Sequence, residues 1–298
     1  MELRLIELYL WVCLVYDKHP NLKYQRLSNN WNPDFTDQEL ITVYLFGHLQ
    51  GHYEQKRIYQ YIKNHFADWF PKLPSYQAFN GRLNQVSEVL KVMVFQLLAS
   101  SAQRECYFDD FVLEEDCLLD SMPIMLAVRG RSSGAKVALE EANTGYCASK
   151  QIYYHGVKLH LVARRRLGQL PNPESLKLTA AAVHDLQVLQ EFEGKMWGNI
   201  FLDKAYQDQW TEQEFAKSGV TICTPDKKKK NQEQYEVGKS GLWSRFVSAI
   251  RQPIESLFNW INEQTDIQNG SKIRSGNGLL VHCYGKLAVA LFIFRFNP

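Results

Sequence analysis

Residues 117–126 have the sequence CLLDSMPIML, an apolar run in which one carboxylate, Asp120, follows Cys-Leu-Leu. Its length and composition predict a buried β-strand. The segment 152–164, IYYHGVKLHLVAR, alternates apolar and polar residues with the period of a strand. The segment 170–181, LPNPESLKLTAA, has the composition of a turn followed by another strand. We therefore expect three leading strands that form an antiparallel meander.

After the meander, the pattern alternates between helices and strands. HDLQVLQEF at 184–192 and WTEQEFAKSG at 210–219 predict helices. NIFLDKAY at 199–206 and VTICTP at 220–225 predict strands. Strands that are separated by helices usually join a sheet in parallel. The predicted fold class is thus α/β, a ribonuclease-H-like mixed sheet flanked by helices.

The first hundred residues predict helices only. Leu3, Ile6 and Leu10 recur at helical spacing, and further apolar helical runs cover 40–50 and 83–99. The composition changes near residue 105. We expect an all-helical N-terminal region at 1–105 and a second domain at 106–298.

Bulk composition narrows the protein class only a little. The net charge is only +2, so overall charge does not indicate a nucleic-acid-binding protein. Binding to a phosphate backbone would depend on local basic clusters such as Lys227 and Lys228. The six cysteines form no Cys-x-x-Cys pair, which argues against zinc and fits free thiols in a reducing cytoplasm. His282 and Lys286 interrupt the apolar run 279–296, which predicts a buried helix and no membrane span.

Three separated carboxylates are the candidate catalytic residues. Asp120 lies in the first strand, Asp203 ends the strand at 199–206, and Glu255 lies beside the apolar stripe of a later helix, four residues after Arg251. Each has an ordinary explanation as a structural residue, a helix cap or half of a surface ion pair. Together, however, carboxylates from separate elements are what Mg²⁺ needs to catalyse phosphodiester chemistry.

In these residues the chain resembles the DDE transposases of bacterial insertion sequences, in the superfamily that contains the Tn-five-type enzymes. The resemblance begins at about Leu118 and continues to the C-terminus. It is carried by LDSMPI at 119–124, YHGVKLHL at 154–161, HD at 184–185, LDKAY at 202–206 and RQPIESLFNW at 251–260. Arg251 matches the arginine of the family's Tyr-Arg-Glu-Lys signature. Ser248 and Asn262 stand where that signature has tyrosine and lysine.

The resemblance implies that Asp120, Asp203 and Glu255 bind two Mg²⁺ or Mn²⁺ ions. It implies a cytoplasmic, nucleoid-associated enzyme that cuts double-stranded DNA at the inverted repeats of its element and joins the ends to target DNA, as a homodimer on DNA. The N-terminal region is expected to bind the DNA ends. The candidate DNA-binding side chains are Arg251, Lys204, Lys158, His160, Lys227 and Lys228.

Two alternatives stay open on sequence alone. One is a host nuclease with the same fold, and the other is a catalytically inactive descendant that binds DNA. The presence of all three carboxylates favours an active enzyme over the second alternative.

Overall fold

The structure is a computed structural model that describes residues 2–22, 33–105, 116–226 and 234–296. It divides into two compact units. Unit 1 comprises Met1–Ser100 and Ile261–Pro298, and unit 2 comprises Ser101–Trp260. The sequence prediction divided the chain near residue 105 and kept 261–298 with the second domain. In the structure this C-terminal segment groups with the N-terminal helices instead, because its apolar helix is part of their core.

Unit 1 is helical, as predicted from the N-terminal sequence. Its helices carry apolar residues that are mostly buried in a common core. Among the described residues, the helices that lie in this unit or begin in it are α1 Glu2–Asp17, α2 Asp37–Leu49, α3 Gln55–His65, α4 Tyr76–Leu83, α5 Ser87–Glu105 and α9 Gly276–Phe296.

Helix α2 shows why the sequence folds in this way locally. Thr36 caps the helix by accepting a hydrogen bond from the Glu39 amide (3.1 Å), and the Glu39 carboxylate accepts one from the Thr36 amide (2.6 Å). This reciprocal capping box satisfies two donors at the helix start. The buried carboxylate of Asp37 pairs with Arg82 at 2.6 Å and accepts a hydrogen bond from Tyr16 at 2.7 Å. A buried charge without such partners would be costly.

Helix α9 is the buried C-terminal helix that the sequence predicted. It is long and apolar enough to cross a membrane, but 67% of its apolar window is buried inside the protein, as expected for a core helix. His282 Nε2 donates to the Ile267 carbonyl (2.7 Å) and Lys286 Nζ donates to the Asp266 carbonyl (2.9 Å). These carbonyls follow the end of helix α8 (Gln234–Thr265), so the two polar residues that interrupt the run pair with backbone oxygens just beyond that helix.

Unit 2 contains one mixed sheet, which confirms the predicted fold class. Strands β1, β3 and β4 are antiparallel neighbours, whereas β5 and β6 join β1 in parallel. The strands run in the order β2-β3-β1-β5-β6, with β4 also paired to β3. Their bounds are β1 Asp116–Val128, β2 Asn143–Cys147, β3 Ile152–Arg164, β4 Asn172–Ala180, β5 Gly198–Phe201 and β6 Val220–Cys223.

Strand β2 was not predicted. Its sequence, NTGYC, is short and mostly exposed, so it has no apolar pattern of its own. It pairs with the first residues of β3, while β4 pairs with the same edge of β3 from Val157 onward. Gly145 is required there, because a side-chain carbon at this position would lie 2.3 Å from the Ala181 carbonyl oxygen. Long-range pairing, rather than local propensity, produces this strand.

One face of the sheet is covered by helices α6 (Asp185–Glu191) and α7 (Gln209–Lys217), whose apolar side chains pack with those of β1, β3 and β5. Helix α8 carries Arg251 and Glu255. Pro253 lies in the interior of this helix. A proline there donates no hydrogen bond to the carbonyl of Ala249, one turn earlier.

Candidate active site

Asp120 lies on strand β1, and Asp203 follows the end of the neighbouring strand β5. In the parallel β1–β5 pair, Cys117 is opposite Ile200 and Leu118 is opposite Phe201. Extending this register by two residues places Asp120 beside Asp203, where adjacent strands lie about 4.8 Å apart. Strand β5 has ended by this point, so Asp203 lies just past the carboxyl end of its strand, where ligand sites of α/β sheets form.

Helix α8 adds the third carboxylate through an arginine. Arg251 Nη1 lies 2.5 Å from Asp120 Oδ2, and Arg251 Nη2 lies 2.9 Å from Glu255 Oε1. Arg251 and Glu255 are one helical turn apart and therefore point the same way. Asp120 and Arg251 are largely buried, whereas the Glu255 side chain is 56% exposed. A guanidinium thus bridges a strand carboxylate and a helix carboxylate.

The carboxylates affect one another electrostatically. The pKa of Asp120 is raised from its usual value near 4 to about 6. Burial is the largest cause; Arg251 and the Ser121 amide act to lower the pKa, whereas Asp203 and Glu255 act to raise it. Burial disfavours the ionised form of Asp120 more than the neighbouring arginine favours it, and the two other carboxylates add to this effect. A further cation beside Asp120 would favour its ionised form.

Next to these residues lies an ion pair between Lys158 and Asp185. Lys158 Nζ donates to Asp185 Oδ1 (2.8 Å) and to the Val183 carbonyl (2.8 Å). Ser121 Oγ lies 3.5 Å from the other oxygen of Asp185. His184 caps helix α6 by accepting from the Leu186 amide. The ammonium of Lys158 is therefore used within the protein, which leaves it little freedom to meet a phosphate as predicted.

The predicted DNA contact of His160 is not supported by its position. This residue is 0% exposed, and its Nε2 lies 2.8 Å from Thr179 Oγ1. Burial lowers the pKa of the imidazole to about 4, so the ring is neutral near pH 7. A buried neutral ring offers neither surface nor charge to a phosphate. Alternation along β3 could not reveal this, because both faces of the strand are covered.

The basic residues differ in their exposure. Lys204 is exposed and directly follows Asp203, whose side chain accepts a hydrogen bond from the Lys204 amide at 2.7 Å. The other two candidate DNA contacts, Lys227 and Lys228, lie outside the described residues. Lys204 and Arg251 are thus the candidates that the structure places at the carboxylates.

Sequence reasoning missed Tyr206. This residue ends a 3-10 turn, Lys204–Tyr206, and its side chain is 1% exposed. The charges that affect the pKa of its hydroxyl include those of Asp185, Asp120 and Asp203. The available signal was an aromatic residue three positions after a strand-end aspartate. That spacing does not indicate whether the tyrosine side chain is buried or which way it points.

A family model described as transposase DDE domain matches residues 114–275, which cover all three carboxylates and Arg251. The chain belongs to the transposase DDE domain family. No curated protein and no solved structure gives a significant match to this transposase. The resemblance to DDE transposases that the sequence indicated is therefore confirmed for the family.

The family generally uses divalent metal ions, so the residues of this transposase can be tested against that requirement. Within the described ranges, no three His, Cys, Asp or Glu side chains are already gathered closely enough to ligate an ion. The donor chemistry nevertheless fits Mg²⁺ or Mn²⁺, which prefer carboxylate oxygens and retain several waters. Asp120 already pairs with a cationic group, Arg251, and lies near enough to Asp203 and Glu255 for their charges to affect its pKa. The carboxylates therefore fit a divalent cation.

Proposed function

We propose that this transposase cuts DNA at the ends of its insertion sequence and joins those ends to target DNA, with Asp120, Asp203 and Glu255 as the catalytic metal ligands. The observation that carries the proposal is the bridge from Asp120 through Arg251 to Glu255. The β1–β5 register, continued by two residues, would align Asp203 with Asp120. Family membership supports a transposition reaction for such a site.

The roles of the carboxylates follow from their positions. Asp120 lies on strand β1 and Asp203 follows the end of the neighbouring strand β5, and together they would hold the cations. Glu255 is more exposed and would complete the ligand set from the helix. Two bound Mg²⁺ or Mn²⁺ ions would supply activation of water or of a 3′-hydroxyl and stabilisation of the leaving oxygen. The side chains would orient the reacting phosphate and balance its charge.

Arg251 and Lys204 would contact the DNA backbone. Arg251 has a bidentate geometry that suits phosphate as well as carboxylate. With Asp120 and Glu255 holding cations, the guanidinium of Arg251 would be free to bind a phosphate beside the reacting one. Lys204 is exposed next to Asp203 and would add a second positive charge.

Unit 1 would bind the DNA ends, as expected for the N-terminal region. It contains a cavity of about 310 Å³ whose lining includes four cationic side chains, Lys56, Lys272, Arg274 and Lys286, but only two acidic ones. Lys272 is paired with Glu54 at 2.6 Å. An excess of positive charge around a concave surface favours phosphate. Arg274→Ala is expected to weaken binding of end DNA, and unchanged affinity would remove this unit's cavity from the proposal.

The decisive experiment uses DNA with the element's inverted repeats, target DNA and Mg²⁺. We expect wild-type protein to nick the element ends and to join the new 3′-hydroxyls to target DNA. Asp203→Asn is expected to lose both products while retaining DNA binding. The matched control is Asp208→Asn, because Asp208 caps helix α7 through the Thr211 amide (2.9 Å) and asparagine caps equally well.

Each alternative gives a different result in the same experiment. A host nuclease would cut without joining, and an inactive descendant would bind DNA without cutting. Equal activity of Asp203→Asn and wild type would refute the assignment of the carboxylates. The proposed homodimer is tested by sedimentation with and without end DNA; a single chain on each bound DNA would contradict it.

A further inference from the structure

Tyr206 carries a buried hydroxyl group that has no hydrogen-bond partner. The residue belongs to the apolar core of unit 2 and is 1% exposed. Among the described residues, its hydroxyl oxygen finds neither a donor nor an acceptor. Nearly all buried polar groups in proteins have partners, because an unpaired group loses its hydration without compensation. A phenylalanine would fill the same space without this loss, so the hydroxyl group requires an explanation.

The surroundings of the hydroxyl are those of the active site. After burial, the groups that raise its pKa well above the usual value are Asp185, Asp120 and Asp203, while Arg251 acts in the opposite sense. The phenol therefore keeps its proton near neutral pH and can act as a donor. The nearby carboxylates are acceptors.

Backbone geometry ties Tyr206 to Asp203. The Tyr206 amide donates to the Asp203 carbonyl at 3.0 Å, which closes the 3-10 turn. In this state the carboxylates already have other donors. Asp203 Oδ1 accepts from the Lys204 amide, and the two oxygens of Asp120 accept from the Ser121 amide and Arg251. The phenol is held close to the carboxylates without being used by them.

We propose that Tyr206 is a positioning residue whose hydroxyl donates a hydrogen bond to the Asp120–Asp203 carboxylate pair when that pair holds divalent cations. The inference rests on the proposed function. Arg251 now orients Asp120; if Asp120 held a cation instead, another donor would be needed to fix the orientation of its carboxylate. Hydrogen bonds from outer residues to ligating carboxylates are a general feature of metal sites, and their loss weakens metal affinity or activity about 10- to 100-fold.

The test compares Tyr206→Phe with Tyr16→Phe. The Tyr16 hydroxyl is also buried but is already bonded to Asp37 at 2.7 Å in unit 1, so it is a matched control. Two quantities are measured on the full chain: the thermal midpoint in EDTA, and the Mn²⁺ affinity by electron paramagnetic resonance. Tyr206→Phe is expected to keep or raise the midpoint and to weaken Mn²⁺ binding about 10- to 100-fold. Tyr16→Phe should lower the midpoint and leave Mn²⁺ binding unchanged.

Two results would overturn the inference alone. One is wild-type Mn²⁺ affinity in Tyr206→Phe. The other is a fall of its midpoint in EDTA as large as that of Tyr16→Phe, since this would reveal a structural partner for the hydroxyl. A wild-type protein that binds no Mn²⁺ would instead overturn the proposed function, and the inference with it. A second comparison is made in an Asp203→Asn background. There, adding Tyr206→Phe should cause no further loss of Mn²⁺ affinity, because the carboxylate pair that the hydroxyl would serve is already broken.

Discussion

Replacing Asp120 with asparagine is expected to stabilise the metal-free protein near neutral pH and to abolish DNA cleavage. Asparagine has nearly the same shape as a protonated aspartate but carries no charge. In the wild type, the ionised carboxylate is buried and faces the negative charges of Asp203 and Glu255, and Arg251 offsets this only in part. The substitution removes a buried charge that the metal-free site disfavours.

The size of the effect follows from the pKa of Asp120. It rises from 3.8 to about 6 on folding, and each pKa unit corresponds to about 1.4 kcal/mol. Ionised Asp120 therefore lowers the free energy of unfolding by up to about 3 kcal/mol. Because the folded state binds the proton more tightly than the unfolded state, this loss develops as pH rises from about 4 to 6. It is complete above that window.

Urea unfolding in EDTA measures the effect. At about pH 4 the variant and the wild type should have similar stability, whereas at about pH 7.5 the variant should be more stable. Adding Mg²⁺ should stabilise the wild type but not the variant, since ligand binding to the folded state raises its stability. An asparagine variant that is less stable than wild type in EDTA at about pH 7.5 would refute the electrostatic reasoning.

Three further substitutions test other parts of the structure. Arg251→Ala should reduce the salt dependence of DNA binding by about one unit of slope, the loss of one phosphate contact; an unaltered slope would exclude that contact. Gly156→Ala should cost at least about 1–3 kcal/mol in urea unfolding, because its Cβ would meet a β1 carbonyl oxygen at 2.1 Å. Gly134→Ala, in open space, is the control. Burial lowers the pKa of Lys286 from 10.5 to about 8. Between these two pH values, the unfolded state therefore binds more protons than the folded state. Relative to Lys286→Met, wild-type stability should therefore rise between about pH 8 and 10, and a flat difference would contradict it.

Much of the fold could be predicted because its signals are local. The apolar run before Asp120, the alternation along β3 and the Thr36–Glu39 capping box each depend on neighbouring residues, so their secondary structure follows from spacing. The order of strands and helices then limited the sheet to an antiparallel part followed by a parallel part. The candidate carboxylates were found in the same way, from where they stand relative to these elements.

The remaining features depend on contacts between distant residues. Strand β2 exists because β3 provides an edge for it, and His160 is buried because both faces of β3 are covered. Neither fact is encoded in a local pattern.

Sequence spacing alone was enough to mark out the elements, the family and the acidic residues, since periodicity and chain order are properties of the chain itself. Tertiary structure decided which charges meet. The β1–β5 pairing leads Asp203 out of its strand toward Asp120. The packing of unit 2 brings Arg251 between two carboxylates and buries the Tyr206 hydroxyl near them. Such contacts depend on register and side-chain burial, and these are set only when the whole sheet and its helices assemble.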